Sequence, residues 1–147
     1  MQYVMLPKND MLATSWRKDS KMIIKQLSVF VQNEAGRLVQ VTEILNEADI
    51  NISALSLAET EEYGILRMIV SDVERAAEIL KERGYKVKTI DVICLVTPDV
   101  PGALNEKLKV LAREKIDVIY MYGYSNDGKA RLILKTSNPQ RAAELLV

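Results

Sequence analysis

The chain has 147 residues, enough for one ordinary domain or two very small ones, and 48% of them are apolar, so a packed core is expected. Its 20 basic and 20 acidic residues cancel, which argues against a nucleic-acid-binding protein, since such proteins usually have a basic excess or a basic stripe. Histidine is absent, which excludes Ser-His and Cys-His nucleophiles and every histidine metal site. The sequence therefore predicts no catalytic residue, no metal and no cofactor.

The first 22 residues are predicted to be a leader outside the fold. They lack the basic start and apolar core of a secretory signal, and no apolar run in the chain reaches the ~20 residues of a membrane-spanning helix. The single cysteine, Cys94, cannot form an internal disulfide and lies between apolar residues, where a small buried side chain is expected. These features favour a cytoplasmic protein without a membrane partner.

After the leader, strands and helices alternate in chain order. Residues 27–31 are rich in β-branched and aromatic side chains, which predicts a strand. From Gly36 to Ala48, apolar residues recur at steps of three and four, which predicts a helix with one apolar stripe that includes Leu38. The remaining elements of this half are strands over 52–58 and 64–70, a helix from the N-cap residue Asp72 to the stop at Gly84, and a strand over 85–90.

The chain then repeats itself, because residues 25–80 and 91–146 align without a gap at an offset of 66. Each copy has a short loop motif and, fifteen residues after its glycine, a polar residue inside an apolar strand. The motifs are Asn33-x-x-Gly36-x-Leu38 with Asn51, and Asp99-x-x-Gly102-x-Leu104 with Asp117. A repeat of this length exceeds the usual solenoid period and indicates a duplicated module.

Each copy is predicted to have the order β-α-β-β-α-β, the split βαβ arrangement of ferredoxin-like proteins. The fold class is therefore α+β, with modules over 23–90 and 91–147, antiparallel sheets, and helices on one face. In the second copy the predicted elements are a strand over 92–97, a helix over 102–114, strands over 117–124 and 130–136, and a helix from Asn138. Its last strand is missing. An open strand edge invites pairing, so either the chain is truncated or another segment, such as Gln2–Leu6, covers that edge.

On these residues the chain resembles ACT domains, small ligand-binding regulatory modules of amino-acid metabolism, over residues 24–146. The likeness rests on the two loop motifs, with Pro101 before the glycine of the second, and on the spacing to Asn51 and Asp117. The arrangement is most similar to stand-alone proteins with two such modules and no attached enzyme. The resemblance implies modules that pair their sheets side by side and bind an amino acid between them.

The resemblance assigns ligand-binding residues to the loops and to the starts of the second strands. They are Asn33, Gly36, Arg37, Leu38, Asn51, Ile52, Asp99, Gly102, Ala103, Leu104, Asp117 and Val118. A helix N-terminus suits the carboxylate of the ligand, and glycine lets a ligand approach the backbone. The amides of Asn33 and Asn51 suit either end of an amino acid, whereas Asp99 and Asp117 suit only its ammonium group. Alternatively, the loop residues cap helices, the glycines permit turns, and the strand residues form turns.

Four further residues could form a pocket wall or an interface. Tyr120, Tyr122 and Tyr124 share one face of a strand, and the matching residues of the first copy are small. Ordinary sheet packing is the alternative for these tyrosines. Arg67 lies in mid-strand, where it could bind a carboxylate bidentately or point to solvent.

The sequence thus favours a non-catalytic regulatory protein that senses a small-molecule amino acid, and a homodimer is expected. The alternative is a regulatory subunit that contacts a partner enzyme of amino-acid metabolism, similar to the small subunit of acetolactate synthase. A structural module that has lost its ligand is a further possibility. An enzyme has the least support, because no activated nucleophile or paired acid and base is visible.

Overall fold

The computed structural model describes residues 22–32, 34–60 and 62–146. The leader, the segment Gln2–Leu6 and Asn33 lie outside the described residues, apart from Met22. The described part of the chain has six strands and four helices. They are β1 (Ile23–Gln32), α1 (Arg37–Glu47), β2 (Ile52–Glu59), β3 (Tyr63–Val70), α2 (Val73–Glu82), β4 (Lys86–Pro98), α3 (Ala103–Arg113), β5 (Val118–Asn126), β6 (Lys129–Thr136) and α4 (Pro139–Leu146). The predicted α+β class with duplicated β-α-β-β-α order is confirmed.

The described residues form two compact units. Module 1 consists of residues 25–90, and module 2 consists of residues 22–24 and 91–146. The long strand β4 belongs to both, since Lys86–Ile90 lies in module 1 and Asp91–Pro98 in module 2. The sequence predicted two strands with almost no break between them, and the structure joins them. Within the described ranges, no helix is both long and apolar enough to cross a membrane.

Module 1 is a sheet with the strand order β2-β3-β1-β4 and two helices packed on one face. β3 runs antiparallel to both β1 and β2, so β1 and β2 run in the same direction on either side of it. Alternate residues of each strand point to the helices, as the two-residue period of a strand requires. The core consists of Leu27, Val29 and Val31 from β1, Leu66 and Met68 from β3, Val41, Ile44 and Leu45 from α1, and Ala76, Ala77 and Leu80 from α2.

Module 2 has the strand order β4-β6-β5, again antiparallel, with α3 and α4 contributing to its core. Its fully buried side chains include Ile93, Leu95 and Leu134. The backbone N–H of Cys94 donates a hydrogen bond to the carbonyl oxygen of Met22 at 2.7 Å, and Met22 and Ile23 pack against the core. Residues 22–24 therefore contact β4 within module 2.

The duplication extends to single hydrogen bonds. Asp72 Oδ1 accepts a hydrogen bond from the N–H of Arg75 at 3.1 Å, which confirms the predicted N-cap of α2. Asn138 Oδ1 accepts the equivalent bond from the N–H of Arg141, also at 3.1 Å. Both edge strands also have a register shift at the same repeat position, after Ile52 in β2 and after Val118 in β5. Equivalent side chains in the two modules can therefore be compared residue by residue.

Candidate functional site

The strand-to-helix loop of each module ends in a glycine with a left-handed backbone. Gly36 and Gly102 both have φ near +86°, where an L-residue is strained by roughly 1–2 kcal/mol. A Cβ at either glycine would meet no atom within 4 Å, so backbone conformation, and not lack of space, requires glycine. The open space around each glycine leaves the loop backbone accessible.

The two glycines are also the N-cap residues of α1 and α3, and neither helix has a side-chain capping hydrogen bond. Asp99 therefore does not cap α3, and its N–H instead donates to the carbonyl oxygen of Gly128 at 2.9 Å. The capping role that the sequence allowed for Asp99 is wrong. The N–H groups of Arg37 and Ala103 donate to backbone carbonyl oxygens at 3.3 Å. Among the described residues no side chain accepts from the next N–H groups, so each helix start has donors suited to an anion.

Module 1 has a cleft of about 440 Å³ at this loop, here called the loop cleft. One wall is the end of β1 and the start of α1, and the other is the end of β2 with the start of β3. The lining residues are Val31, Gln32, Glu34, Ala35, Arg37, Leu38, Leu57, Ala58, Glu59 and Gly64. Because β1 and β2 run in the same direction, their C-terminal ends meet at one edge of the sheet, which is where the cleft lies.

Arg37 is the cation of the loop cleft, and three side-chain acceptors fix its guanidinium. Nη2 donates to Gln32 Oε1 at 2.9 Å, Nε to Glu34 Oε2 at 3.2 Å, and Nη1 to Gln40 Oε1 at 3.3 Å. The side chain of Arg37 remains 37% exposed. A guanidinium has five N–H donors, so further donors remain for a bound acceptor.

The carboxylates of the loop cleft differ in their partners. Glu34 forms an exposed ion pair with Arg37 at 3.2 Å. Glu59, at the end of β2, has no ion pair or side-chain hydrogen bond among the described residues. The remaining wall is mainly apolar, with Val31, Leu38 and Leu57. The cleft thus combines a fixed cation, an available carboxylate and an apolar surface.

The structure brings some of the predicted site residues together and separates others. Arg37 and Leu38 line the loop cleft, and Gly36 lies beside them in the chain. Leu38 was expected in the apolar stripe of its helix, but it is 40% exposed and faces the cleft. Asn51 and Ile52 lie at the opposite end of β2 from Glu59, roughly 25 Å away at the usual rise of a strand.

The backbone of Asn51 has a defined partner at that far end. Its N–H donates to Ser71 Oγ at 2.9 Å, and its carbonyl accepts from the N–H of Ser71 at 2.9 Å. Asp117 makes the same two bonds to Ser137, also at 2.9 Å. In each copy, the glycine and the polar residue fifteen positions later thus lie at opposite ends of the module. They do not meet within a module.

The counterpart of the loop cleft in module 2 has different side chains. At the repeat offset, Glu34 becomes Val100, which is 59% exposed, and Arg37 becomes Ala103. The small Ala58 becomes the half-buried Tyr124. Further replacements are Gly123 for Leu57 and Ser125 for Glu59, whereas Leu38 is retained as Leu104. The charged groups of the loop cleft therefore have no counterparts in module 2, where Asp99 stands at the loop and Asp117 and Val118 lie at the far end of β5.

The other predicted wall residues lie on the sheet faces that point away from the helices. Tyr120, Tyr122 and Tyr124 stand opposite Lys135, Ile133 and Arg131 on β6, and Tyr122 is only 4% exposed. Arg67 on β3 stands opposite Ser28 on β1 and Ser56 on β2. None of these four predicted residues lines the loop cleft.

Several lining residues were missed in the sequence, above all Gln32, Glu34 and Glu59. Glu34 and Arg37 are three residues apart with opposite charges, a pattern that suggests an ion pair. Glu59 ends the second strand, and in a split βαβ unit the C-terminal ends of the first two strands share one edge of the sheet. Applied strictly, this topology would have selected Glu59 instead of Asn51. No group of three or more Cys, Asp or Glu side chains in the described ranges could hold a metal ion.

Comparison with known proteins assigns the chain to a family. A family model described as an ACT domain pair matches residues 22–147. The crystal structure of protein BT0572 from Bacteroides thetaiotaomicron is 41% identical, and the match covers 87% of this chain and 89% of that chain with a TM-score of 0.82.

Two more distant structures share the fold. The regulatory subunit of aspartate kinase from Thermus thermophilus, in its ligand-free form, is 12% identical, with 84% of this chain and 93% of that chain covered and a TM-score of 0.60. The aspartokinase alpha and beta subunits are 17% identical, with 84% and 93% covered and a TM-score of 0.55.

Proposed function

Because the chain belongs to the family of ACT domain pairs, we propose that it is a regulatory protein that binds a free amino acid in the loop cleft of module 1. ACT modules are regulatory modules of amino-acid metabolism, which supports the sensing role. The choice of the loop cleft rests on its lining residues, since they match both charged ends and the carbon skeleton of an amino acid.

The combination of Arg37 and Glu59 in one cleft is the observation that carries this proposal. An amino acid presents a carboxylate and an ammonium group a few ångströms apart. The guanidinium of Arg37 would donate to the carboxylate, a pairing that is stronger than a neutral hydrogen bond. The carboxylate of Glu59 would accept from the ammonium group, and Leu38 and Leu57 would contact an aliphatic side chain.

The ligand would act by shifting an equilibrium between conformations or assemblies. In the structure the Arg37 guanidinium bonds to Gln32, Glu34 and Gln40. A bound carboxylate would compete for those donors. It would favour the conformation or assembly in which the loop binds the ligand more tightly. The size of the regulatory effect equals the difference in affinity between the two states.

We propose no catalytic role for the chain itself, and the regulated activity would belong to a partner enzyme of amino-acid metabolism. The absence of histidine supports this view, because the common nucleophile–histidine pairs cannot form. A cytoplasmic homodimer is the proposed state. Light scattering with and without amino acid, followed by co-purification, would measure the assembly and identify the partner.

The experiment that tests the proposed site is a thermal-shift screen of the chain against the twenty amino acids, followed by calorimetry with the one that stabilises most. Arg37→Gln should weaken binding roughly 10- to 100-fold, because it removes a charge-assisted hydrogen bond. Arg75→Gln is the matched control, since Arg75 is an exposed arginine near the start of α2 that does not line the cleft.

A selective response to one or two amino acids that is lost in Arg37→Gln and retained in Arg75→Gln would support the proposal. A response that survives in Arg37→Gln would place the ligand elsewhere on the chain. No response to any amino acid would contradict the sensing role itself.

A further inference from the structure

Module 1 has a second cleft, of about 430 Å³, between α1 and the turn that joins α2 to β4. Arg37, Arg83 and Lys86 line it, and no carboxylate does. This basic cleft also contains three neutral polar side chains, those of Gln32, Gln40 and Tyr85. The chain as a whole has as many acidic as basic residues. Three cations around one cleft are therefore a local excess of positive charge.

The turn after α2 has a defined conformation that arranges these side chains. Gly84 has φ near +89°, its N–H donates to the carbonyl of Lys81 at 3.0 Å, and the N–H of Tyr85 donates to the carbonyl of Leu80 at 3.0 Å. These two bonds form a Schellman motif, which satisfies carbonyls at the end of the helix. The turn thereby presents Arg83, Tyr85 and Lys86 to the cleft while occupying carbonyl oxygens that would otherwise repel an anion.

Two of the three cations are loosely partnered. Arg83 lies 3.6 Å from Glu47 in an ion pair whose side chains are 60% and 69% exposed, and such pairs contribute little. Lys86 lies over the ring of Phe30, with Nζ 5.3 Å from the centroid, and forms no ion pair among the described residues. Both side chains can therefore turn to a ligand without breaking a strong contact.

The neutral groups extend the site. The hydroxyl of Tyr85 donates to Gln40 Oε1 at 3.0 Å, and the same oxygen accepts from Arg37 Nη1 at 3.3 Å. This chain of bonds fixes the floor of the cleft between the two helices. The amide groups of Gln32 and Gln40 can donate as well as accept, so they complement oxygen atoms that the cations do not reach.

We propose that the basic cleft is a second ligand site, for a small metabolite that carries a phosphate group. A phosphomonoester carries a charge of about −1.5 to −2 at neutral pH and presents three acceptor oxygens on one atom. The guanidinium forks of Arg37 and Arg83 match such an oxygen array, and Lys86 adds a point charge. A carboxylate offers half the charge and fewer oxygens, so it would leave at least one cation unpaired.

The test is a two-dimensional NMR titration of the full chain with inorganic phosphate and then pyrophosphate, at constant ionic strength and without amino acid. Because no amino acid is added, the result does not depend on the function proposed for the loop cleft. The expected result is a saturable shift of the backbone amides of Gln40, Gly84 and Lys86. Arg83→Gln combined with Lys86→Gln should weaken binding at least roughly tenfold, because two charge-assisted hydrogen bonds are lost.

The matched control is Arg113→Gln combined with Lys129→Gln, which removes the same charge at exposed positions outside the cleft. It should change the affinity by no more than about twofold at physiological ionic strength, where distant charges are screened. Succinate, a dicarboxylate, should bind at least about tenfold more weakly than phosphate.

Equal weakening in the two double variants would overturn the proposal, because binding would then follow total charge and not the cleft. Equal affinity for succinate and phosphate would overturn the assignment to a phosphate group. The absence of a saturable shift at millimolar phosphate would exclude the site. The spectra of both double variants also show directly whether each still folds.

Discussion

The loop before α1 in module 1 and the loop before α3 in module 2 share a backbone but not their side chains. Gly36 and Gly102 both have φ near +86°, and the carbonyl of each accepts a hydrogen bond at 3.0 Å from the N–H four residues ahead. The first helical residue, however, is Arg37 in one loop and Ala103 in the other. The fold requires the glycine in both modules, whereas Glu34, Arg37 and Glu59 of module 1 are replaced by the uncharged Val100, Ala103 and Ser125 in module 2.

This difference separates what a repeat preserves from what it is free to change. Backbone features, such as the glycine with positive φ and the N-cap residues Asp72 and Asn138, recur because each module needs them to fold. Side chains that only line a cleft are not needed for folding. In a duplicated chain, one loop can therefore keep a ligand site while the other serves packing, and Tyr124 in the place of Ala58 is an example.

The largest expected effect concerns the position where module 2 has Gly123 and module 1 has Leu57. A Cβ on Gly123 would lie 2.2 Å from the carbonyl oxygen of Arg131, which is backbone and cannot move away. Gly123→Ala should therefore destabilise the chain by about 2–3 kcal/mol, as overpacking does, and lower the melting temperature by roughly 5–10 °C in calorimetry.

Gly64→Ala is the control for this substitution. The added methyl group would meet two side-chain ends that can shift, Leu57 Cδ1 at 3.3 Å and Val31 Cγ2 at 3.4 Å, and the carbonyl oxygen of Ala58 at 3.5 Å, an ordinary contact distance. Its cost should stay below about 1 kcal/mol. Equal losses of stability in the two variants would show that β5 does not pack against β6 as closely as described.

The second prediction makes the loop cleft resemble its counterpart. Arg37→Ala introduces into module 1 the residue that stands at position 103 in module 2. Loss of the guanidinium should weaken amino-acid binding at least about tenfold, which calorimetry would measure directly. The reciprocal change Ala103→Arg should leave binding unchanged. If Arg37→Ala binds as tightly as the parent chain, the ligand does not occupy this cleft.

The third prediction uses the shared backbone. Gly36→Ala and Gly102→Ala should each cost about 1 kcal/mol in unfolding free energy, because both residues have the same positive φ and open surroundings. Chemical denaturation would measure both losses. Only Gly36→Ala should also weaken amino-acid binding. A change in binding from Gly102→Ala alone would assign the site to module 2.

The sequence predicted the order of elements well because local signals and the repeat agreed. Asp72 and Gly84 delimit α2 as predicted, since the cap and the left-handed turn depend on residues close in the chain. The end of the leader, in contrast, depends on a contact between residues distant in sequence. The carbonyl oxygen of Met22 accepts a hydrogen bond from the N–H of Cys94, and no local sequence pattern could indicate that contact.

The lining of the loop cleft was predicted less completely, for a physical reason. The residues near Gly36 could be chosen from the loop motif, and Arg37 and Leu38 do line the loop cleft. Asn51 was chosen by its spacing from the glycine, but spacing does not tell which end of a strand faces a loop. The direction of β2 places Glu59 at the cleft and Asn51 at the far end of the module.

The most direct test of the central claim is amide chemical-shift mapping with the amino acid that stabilises the chain most. The account predicts saturable shifts at residues 34–38 and 57–59 in module 1 and much smaller shifts at the equivalent residues 100–104 and 123–125 in module 2. Shifts of equal size in both sets, or shifts confined to module 2, would contradict the claim that the loop cleft of module 1 is the amino-acid site.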